Sequence, residues 1–323
     1  MEGGTAMKTK EAIEQYIAFR KSLGEKFKTN SNVLRSFIRI AGEDTDVSDL
    51  DEELCNGFLD GGKNEVTAGW FAKHSALKGF FQWMLTREYV SYIPLPTELP
   101  KRVEHHPPYI YSNDELRRLF RNALTYQTNR SATPPECIRM ILMVDYMLGL
   151  RLHETVSLRL KDVDTVNRVA YIRESKFYKS RMCPFNKQVG LLLEGFMHWR
   201  TSQGMPTDPE EHLFLDKRKK HINIDTVRGC FQRIRDKAGI LVEGDMQQPR
   251  IHDLRHTFSV NRLVSWYREG KDVQKLLPIL SAYLGHKHIA HTSVYLKMTE
   301  TLLGEANKRF ENYAMKGQCN EHE

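Results

Sequence analysis

The sequence predicts a mainly α-helical protein of two domains, a small helical bundle followed by a larger, mostly helical domain with a small antiparallel β-sheet. Apolar residues recur at helical spacing along most of the chain, and a proline-rich stretch interrupts this pattern near residue 104. The 323 residues, 40% hydrophobic and 28% charged, are sufficient for two cores of ordinary composition. We therefore predict domains at residues 1–103 and 104–323.

Four helical patterns occupy the first hundred residues, and they are expected to form a bundle: KTKEAIEQYIAFRKSL, NSNVLRSFIRI, SDLDEELCNGFLDGG and EVTAGWFAKHSALKGFFQWMLTREYV. The last of these supplies a predicted aromatic core of Trp70, Phe71, Leu77, Phe80, Phe81 and Met84. Five prolines between Pro94 and Pro108 then prevent a continuous helix.

The second domain opens with a predicted capping box, in which Ser112 and Glu115 start a helix. A strongly apolar helix follows and ends at Gly149, and RLHETVSLRLKDVD reads as a short helix and a turn. RVAYIRES and RMCPF alternate as strands around the turn KFYKS. Helical patterns then return at 187–202, 224–238, 252–267, 272–284 and 299–314.

The charge of the chain is uneven. The first hundred residues carry 12 Lys and Arg against 15 Asp and Glu, whereas the remainder carries 36 against 26. A basic larger domain indicates a polyanionic partner such as nucleic acid. No apolar run is long enough to cross a membrane and the N-terminus lacks an apolar signal core, so a cytoplasmic protein is expected. The five cysteines form no C-x-x-C pair and are expected to be reduced.

The stretch HDLRH places His252 and His256 on one face of a predicted helix, with Arg255 beside them. Zinc is one interpretation, but a zinc protease uses H-E-x-x-H, and Asp253 here is shorter than that glutamate. Arg255 would also repel a bound cation. A polar helix face without any ligand is a second interpretation. An anion site is the third, because arginine suits bidentate contacts with phosphate oxygens.

Three further residues favour the anion site. Arg151 follows a helix-ending glycine, and Glu154 lies three residues on, where it can orient the arginine. Lys176 lies in the predicted hairpin turn, either as a solvated lysine or as a mobile proton donor. Two arginines, a lysine and histidines suit a phosphoryl-transfer transition state without a metal or cofactor. Tyr295 would supply the nucleophile that forms a covalent phosphotyrosine.

Taken in this order, Arg151, Lys176, HDLRH, LGH and a tyrosine nine residues after His286 resemble the tyrosine recombinase (phage integrase) family. The resemblance covers nearly the whole chain. It implies an N-terminal core-binding (SAM-like) domain that binds DNA, and a catalytic domain with a C-terminal tail helix. One departure is the interval between Arg255 and His286, which is several residues longer than in compact members and favours a recombinase of a mobile element.

The resemblance also implies a role for each matching position. Two arginines and a histidine would hold the scissile phosphate, namely Arg151, Arg255 and His286. His252 would be the general acid/base for Tyr295, and Lys176 would protonate the leaving 5′-hydroxyl. Supporting roles fall to Glu154 and His256, and contacts with the DNA backbone to Lys179 and Arg181. No metal is implied, and His288 and His291 are expected to be local or DNA-facing polar residues.

The expected activity is therefore site-specific DNA recombination through a 3′-phosphotyrosine intermediate. The partners would be double-stranded DNA with specific recombination sites and a homotetramer that exchanges strands through a Holliday junction, with the C-terminal helix docking on a neighbouring protomer or on its own domain. Two alternatives stay open: an enzyme resembling a type IB topoisomerase, and a DNA-binding regulator whose active site has decayed.

Overall fold

The computed structural model describes residues 7–62, 66–101, 107–127, 131–173, 180–244 and 247–298, together with Gly304. It divides into two compact units, Met1–His105 and His106–Glu323. Each unit has a hydrophobic core of its own. The functional assignment of residues 1–103 to DNA binding and of residues 104–323 to catalysis stays a prediction.

The first unit contains the four helices that the sequence predicts: α1 (Thr9–Ser22), α2 (Lys28–Ala41), α3 (Glu52–Asp60) and α4 (Ala68–Leu85), with a 3₁₀ turn at Val47–Asp49. Helices α3 and α4 start at side-chain caps, because Asp51 accepts from Leu54 N at 2.8 Å and Thr67 accepts from Trp70 N. All the predicted core residues of α4 are buried except Phe71, which is half-buried.

The second unit begins with the predicted capping box, since the Ser112 hydroxyl accepts from Glu115 N and the Glu115 carboxylate accepts from Ser112 N. Seven helices follow within the described residues: α5 (Asn113–Asn122), α6 (Pro135–Met147), α7 (Leu152–Val156), α8 (Lys187–Ser202), α9 (Ile224–Lys237), α10 (Asp253–Arg268) and α11 (Val273–Leu284). The predicted mainly helical fold class with its small sheet is confirmed.

The sheet has three antiparallel strands in sequence order, β1 (Val163–Asp164), β2 (Val169–Ile172) and β3 (Arg181–Pro184). Its register pairs Ile172 with Arg181 and Ala170 with Cys183. The side chains of Ala170 and Cys183 are both buried in the core. Strand β1 was not predicted, because two residues are too short to show alternation. The predicted turn at residues 174–179 lies outside the described residues.

A further helical segment, residues 290–298, carries Tyr295; we call it the tyrosine helix. It packs against α10 and α11 through a second apolar cluster that contains Val260, Leu263, Leu280 and Tyr295. The predicted helix at 299–314 lies outside the described residues, apart from Gly304. Nowhere in the described ranges is there a helix of the length and hydropathy needed to span a membrane.

Candidate active site

Ten residues of the second unit surround an open cavity of about 490 Å³. They come from the start of α7, the start of α10, the end of α11 and the tyrosine helix: Arg151, His252, Arg255, His256, Gly285, His286, Lys287, His288, His291 and Tyr295. The cavity thus brings together five of the six predicted catalytic residues. The sixth, Lys176, and the predicted DNA contact Lys179 lie outside the described residues.

Arg151 is positioned by the sharp turn between α6 and α7. Gly149 has φ +58°, a left-handed conformation that favours glycine, and a Cβ there would lie 2.4 Å from Phe258 Cδ1. Arg151 caps α7 and donates to Glu154 Oε1 at 3.0 Å and to the Gly285 carbonyl at 2.9 Å. A glutamate three residues after the arginine therefore orients it, as the sequence suggests.

Arg255 lies beneath Arg151 and is almost fully buried. Its guanidinium donates to two main-chain carbonyls, those of Gly149 at 2.7 Å and of Leu284 at 2.6 Å. Burial, together with the neighbouring charge of Arg151, lowers the pKa of Arg255 to about 10. The side chain therefore stays protonated near neutral pH, as a residue that binds an anion requires.

Tyr295 is only 2% exposed. Its hydroxyl lies 2.8 Å from His256 Nδ1, and it also lies within hydrogen-bonding reach of Ser259 and Arg255. Burial raises the pKa of Tyr295, although Arg255 opposes that rise. The phenol is therefore neutral at ordinary pH, and a proton acceptor is needed before it can attack.

The structure distinguishes the two histidines of HDLRH. The general acid/base role of His252 and the supporting role of His256 stay predictions, and it is His256 whose Nδ1 lies in hydrogen-bonding contact with the Tyr295 hydroxyl. The two rings meet edge to face at 4.7 Å, and His252 lies on the exposed side. The reason is geometric: His256 lies one helical turn after His252, and the tyrosine helix packs against α10 at that later turn.

The protein surroundings lower the pKa of His252, His256 and His286. Partial burial, with Arg255 next in importance, lowers the pKa of His286 to about 3, and partial burial with His252 lowers that of His256 to about 3. His286 Nδ1 is hydrogen-bonded to the Thr292 hydroxyl at 2.7 Å. Both rings are thus neutral before an anion binds.

Arg181 does not occupy the position expected of a residue that contacts the DNA backbone. Its side chain is 10% exposed and pairs with Glu154 at 2.7 Å, and its Nε donates to the Tyr283 carbonyl at 2.7 Å. Because its donors are directed into the protein, they are not available to a DNA phosphate. The spacing in the hairpin cannot reveal this, since alternate residues of a strand face opposite sides.

Sequence reasoning gave Arg181 a different task and missed Asp145 altogether. Asp145 of α6 is buried and accepts a hydrogen bond from Thr155. Burial raises the pKa of Asp145 to about 8. An acidic residue within an otherwise apolar helical pattern was the available signal. Elsewhere in the described chain, no group of three or more His, Cys, Asp or Glu side chains is arranged to hold a metal.

Comparison with known proteins decides the family. The family model described as the phage integrase family matches residues 111–301, more than half of the chain.

The chain belongs to the phage integrase family.

Relatives of this phage integrase family chain align with most of its length. A relative named integrase/recombinase y4rB, from Sinorhizobium fredii, is 29% identical over 94% of this chain and 96% of its own length. The tyrosine recombinase XerC of Oceanobacillus iheyensis is 28% identical over 72% of this chain and 71% of its own. These relatives and the family confirm the prediction of a tyrosine-type recombinase enzyme.

Solved structures share the fold. A lambda integrase dimer bound to a COC′ core site aligns with a TM-score of 0.65 at 18% identity, over 90% of this chain and 77% of that one. The Tn1549 transposon integrase in complex with a circular intermediate DNA aligns with a TM-score of 0.64 at 15% identity, over 90% and 94% of the two chains. At these low sequence identities, the similarity to the solved structures shows a shared fold.

Proposed function

We infer that the protein is a site-specific DNA recombinase that cleaves and rejoins DNA through a covalent 3′-phosphotyrosine intermediate. The observation that carries this is the cavity in which Arg151 and Arg255 lie beside Tyr295 and its hydrogen-bonded His256. Two guanidinium groups provide bidentate donors for the non-bridging oxygens of a phosphodiester, and the phenol provides a nucleophile next to them.

The proposed reaction assigns a task to each side chain. Arg151, Arg255 and His286 bind the scissile phosphate and stabilise the charge that develops on its oxygens. Tyr295 attacks the phosphorus and becomes linked to the DNA 3′-phosphate. Its proton leaves through the adjoining histidines, with His252 as the general acid/base and His256 holding the phenol by the hydrogen bond seen in the structure.

Lys176 is proposed to protonate the leaving 5′-hydroxyl. Its support is the resemblance and its place in the chain, because it precedes Arg181 by five residues and Arg181 pairs with Glu154 in the site. Lys179 of the same turn is proposed to contact the DNA backbone. The reaction conserves the energy of the broken bond in the phosphotyrosine, and religation therefore needs no nucleotide cofactor.

The proposed partners are double-stranded DNA with specific recombination sites and three further copies of the chain. The second unit carries the net positive charge that would contact phosphates, and residues 1–103 form the proposed DNA-binding domain. The C-terminal helix is proposed to join neighbouring protomers of the tetramer. We also propose a cytoplasmic enzyme of a mobile genetic element, in line with the integrase/recombinase name of its relative y4rB.

A covalent trapping experiment tests this proposal. Duplexes that bind the wild-type protein are first selected from a random-sequence library. A nick is then placed beside each candidate scissile phosphate, so that the short strand released by cleavage diffuses away. In EDTA, the wild type should accumulate a covalent adduct, and mass spectrometry should place it on Tyr295. Tyr295→Phe should bind the same duplex without an adduct, whereas Tyr146→Phe, a matched control on α6, should form it normally.

Other results would favour the alternatives. A wild type that binds the duplex but never forms an adduct would indicate a regulator with a decayed site. Relaxation of supercoiled plasmids that lack the selected sequence, without exchange between two sites, would indicate an enzyme of the type IB topoisomerase kind.

A further inference from the structure

The C-terminal end of α11 has an unusual set of partners. Three successive main-chain carbonyls, which we call the carbonyl row, belong to Tyr283, Leu284 and Gly285. Each accepts a hydrogen bond from a different arginine: Arg181 Nε at 2.7 Å, Arg255 Nη2 at 2.6 Å and Arg151 Nη2 at 2.9 Å, respectively. The last carbonyls of a helix lack partners within it and carry its partial negative charge, so they suit cationic donors.

Glu154 links two of these arginines, Arg151 and Arg181. Its side chain is 1% exposed, and it accepts from Arg151 at 3.0 Å and from both terminal nitrogens of Arg181 at 3.0 and 2.7 Å. Burial alone would raise the pKa of this carboxyl, but the hydrogen bonds from Arg181 outweigh it and hold the pKa at about 2. Glu154 is therefore ionised at every working pH.

The local charges do not balance among these described groups. Three guanidinium groups lie near one ionised carboxylate, Glu154, while burial raises the pKa of the other nearby carboxyl, Asp145, to about 8. Like charges held this close repel each other, so the arginines need fixed partners to keep one arrangement. The carbonyl row and Glu154 supply those partners in the absence of DNA.

Arg181 differs from the other two arginines in its position. Arg151 and Arg255 line the cavity, whereas Arg181 does not. It fills the space behind Gly285, where a Cβ would lie 2.9 Å from its Nη1 and 3.1 Å from its Cζ. Gly285 also has φ +68°, a left-handed conformation that favours glycine. Glycine at this position therefore both permits the backbone conformation and leaves room for the Arg181 guanidinium.

We propose that Arg181 is a positioning residue for the phosphate-binding arginines. It holds Glu154 and the carbonyl row at a fixed separation, and through them it aligns Arg151 and Arg255 for the scissile phosphate without touching DNA. This role rests on the proposed function, because it has a catalytic consequence only if those arginines bind the phosphate.

Substitution of Arg181 should therefore impair the chemical step more than binding. Arg181→Gln should lower the single-turnover cleavage rate on the nicked duplex about 10- to 100-fold, the loss typical of catalytic groups displaced by about 1 Å. The dissociation constant for the duplex should stay within about twofold, since no phosphate contact is removed. Arg181→Lys keeps the charge but lacks the planar fork, and it should fall between Gln and the wild type.

A methylphosphonate at the scissile position separates positioning from loss of folded protein. This group replaces one non-bridging oxygen by a methyl, and so removes the negative charge that the arginines neutralise. The ratio of phosphodiester to methylphosphonate cleavage should fall about tenfold in Arg181→Gln. Any unfolded fraction cancels in this ratio, because both rates are measured on one preparation.

Two further variants complete the test. Gly285→Ala should lower the same ratio, because its new Cβ displaces the Arg181 guanidinium. Arg159→Gln removes another arginine of the second unit. Arg159 does not line the cavity and pairs with Glu210 at 2.6 Å, so its loss should leave the ratio unchanged.

Three outcomes would overturn the proposal, and they are distinguishable. Equal losses on both substrates would show a purely structural role for Arg181. Weaker DNA binding with a shallower salt dependence would show that Arg181 contacts the backbone directly. A wild-type protein that forms no adduct would overturn the proposed function itself, and this role with it.

Discussion

The two sides of the cavity are built differently. On the arginine side, Arg255 and Glu154 are buried, and with Arg151 they make seven hydrogen bonds to main-chain or side-chain partners named above. On the histidine side, His252, His288 and His291 are exposed. His286 is anchored there by its hydrogen bond to Thr292.

This difference matches the proposed tasks of Arg151 and Arg255 on one side and of the general acid/base His252 on the other. Groups that stabilise developing charge are most effective when the fold has already oriented them, because no reorganisation is then needed during the reaction. Groups that transfer protons must exchange them with solvent or substrate and so benefit from access. Disrupting the arginine side should therefore reduce both stability and catalysis, whereas disrupting the histidine side should mainly affect catalysis.

The largest effect is expected for Arg255→Gln. Loss of the guanidinium removes a phosphate donor and leaves buried carbonyls of Gly149 and Leu284 without charged partners. Cleavage of the nicked duplex should fall about 10³-fold, and the free energy of unfolding should fall by about 1–3 kcal/mol. Single-turnover kinetics and urea denaturation measure the two quantities.

The matched change on the other side is His252→Gln, which should slow cleavage while leaving the urea midpoint close to that of the wild type. Equal destabilisation by the two substitutions would refute the contrast between the sides.

A medium effect is expected in the pH dependence of stability. The folded pKa of His256 is about 3, below the value near 6.5 of an unfolded histidine. Between these values the unfolded chain binds a proton that the folded protein does not, so the free energy of unfolding falls as the pH falls through this window. Each such histidine contributes a slope of at most about 1.4 kcal/mol per pH unit.

Glu154 changes the free energy of unfolding in the same direction but at lower pH. Because its folded pKa is about 2, ionised Glu154 contributes its full stabilisation above the unfolded pKa near 4.5. This stabilisation is lost as the pH falls towards 2. Urea denaturation at pH 7.5, 6.5, 5.5 and 4.5 should therefore report the histidine side first. His256→Asn, which retains a hydrogen-bonding group for Tyr295 but does not titrate, should show a shallower decline; an unchanged slope would contradict the assigned pKa.

The smallest effect is expected for Thr292→Val, which removes the hydroxyl that holds His286 Nδ1. The ring would keep its place but lose its fixed orientation, and cleavage should fall about threefold to tenfold with little change in DNA affinity. Thr292→Ser should restore most of the rate. A loss as large as that of Arg255→Gln would mean that the histidine side is as tightly preorganised as the arginine side.

Periodicity and caps in the sequence were sufficient for most of the fold. The helices of the first unit, the Ser112–Glu115 capping box and the β2–β3 pair follow from local patterns that bury one face, and local patterns are what a sequence displays directly. Strand β1 was missed because it is only two residues long. The tyrosine helix was missed because His291 within it, with His286 and His288 just before it, obscures the apolar face that packs on α10 and α11.

By itself the sequence determined which residues could form the site, because Arg151, HDLRH, His286 and Tyr295 are chemically suited to one reaction and occur in one order. Only the tertiary structure decided which atoms meet. It placed His256 rather than His252 against Tyr295, and it directed Arg181 inward to Glu154 and the carbonyl row instead of outward to DNA. The reason is that a residue's direction depends on elements that are distant in the chain, here the tyrosine helix and the end of α11, and their approach is fixed by packing that local spacing does not encode.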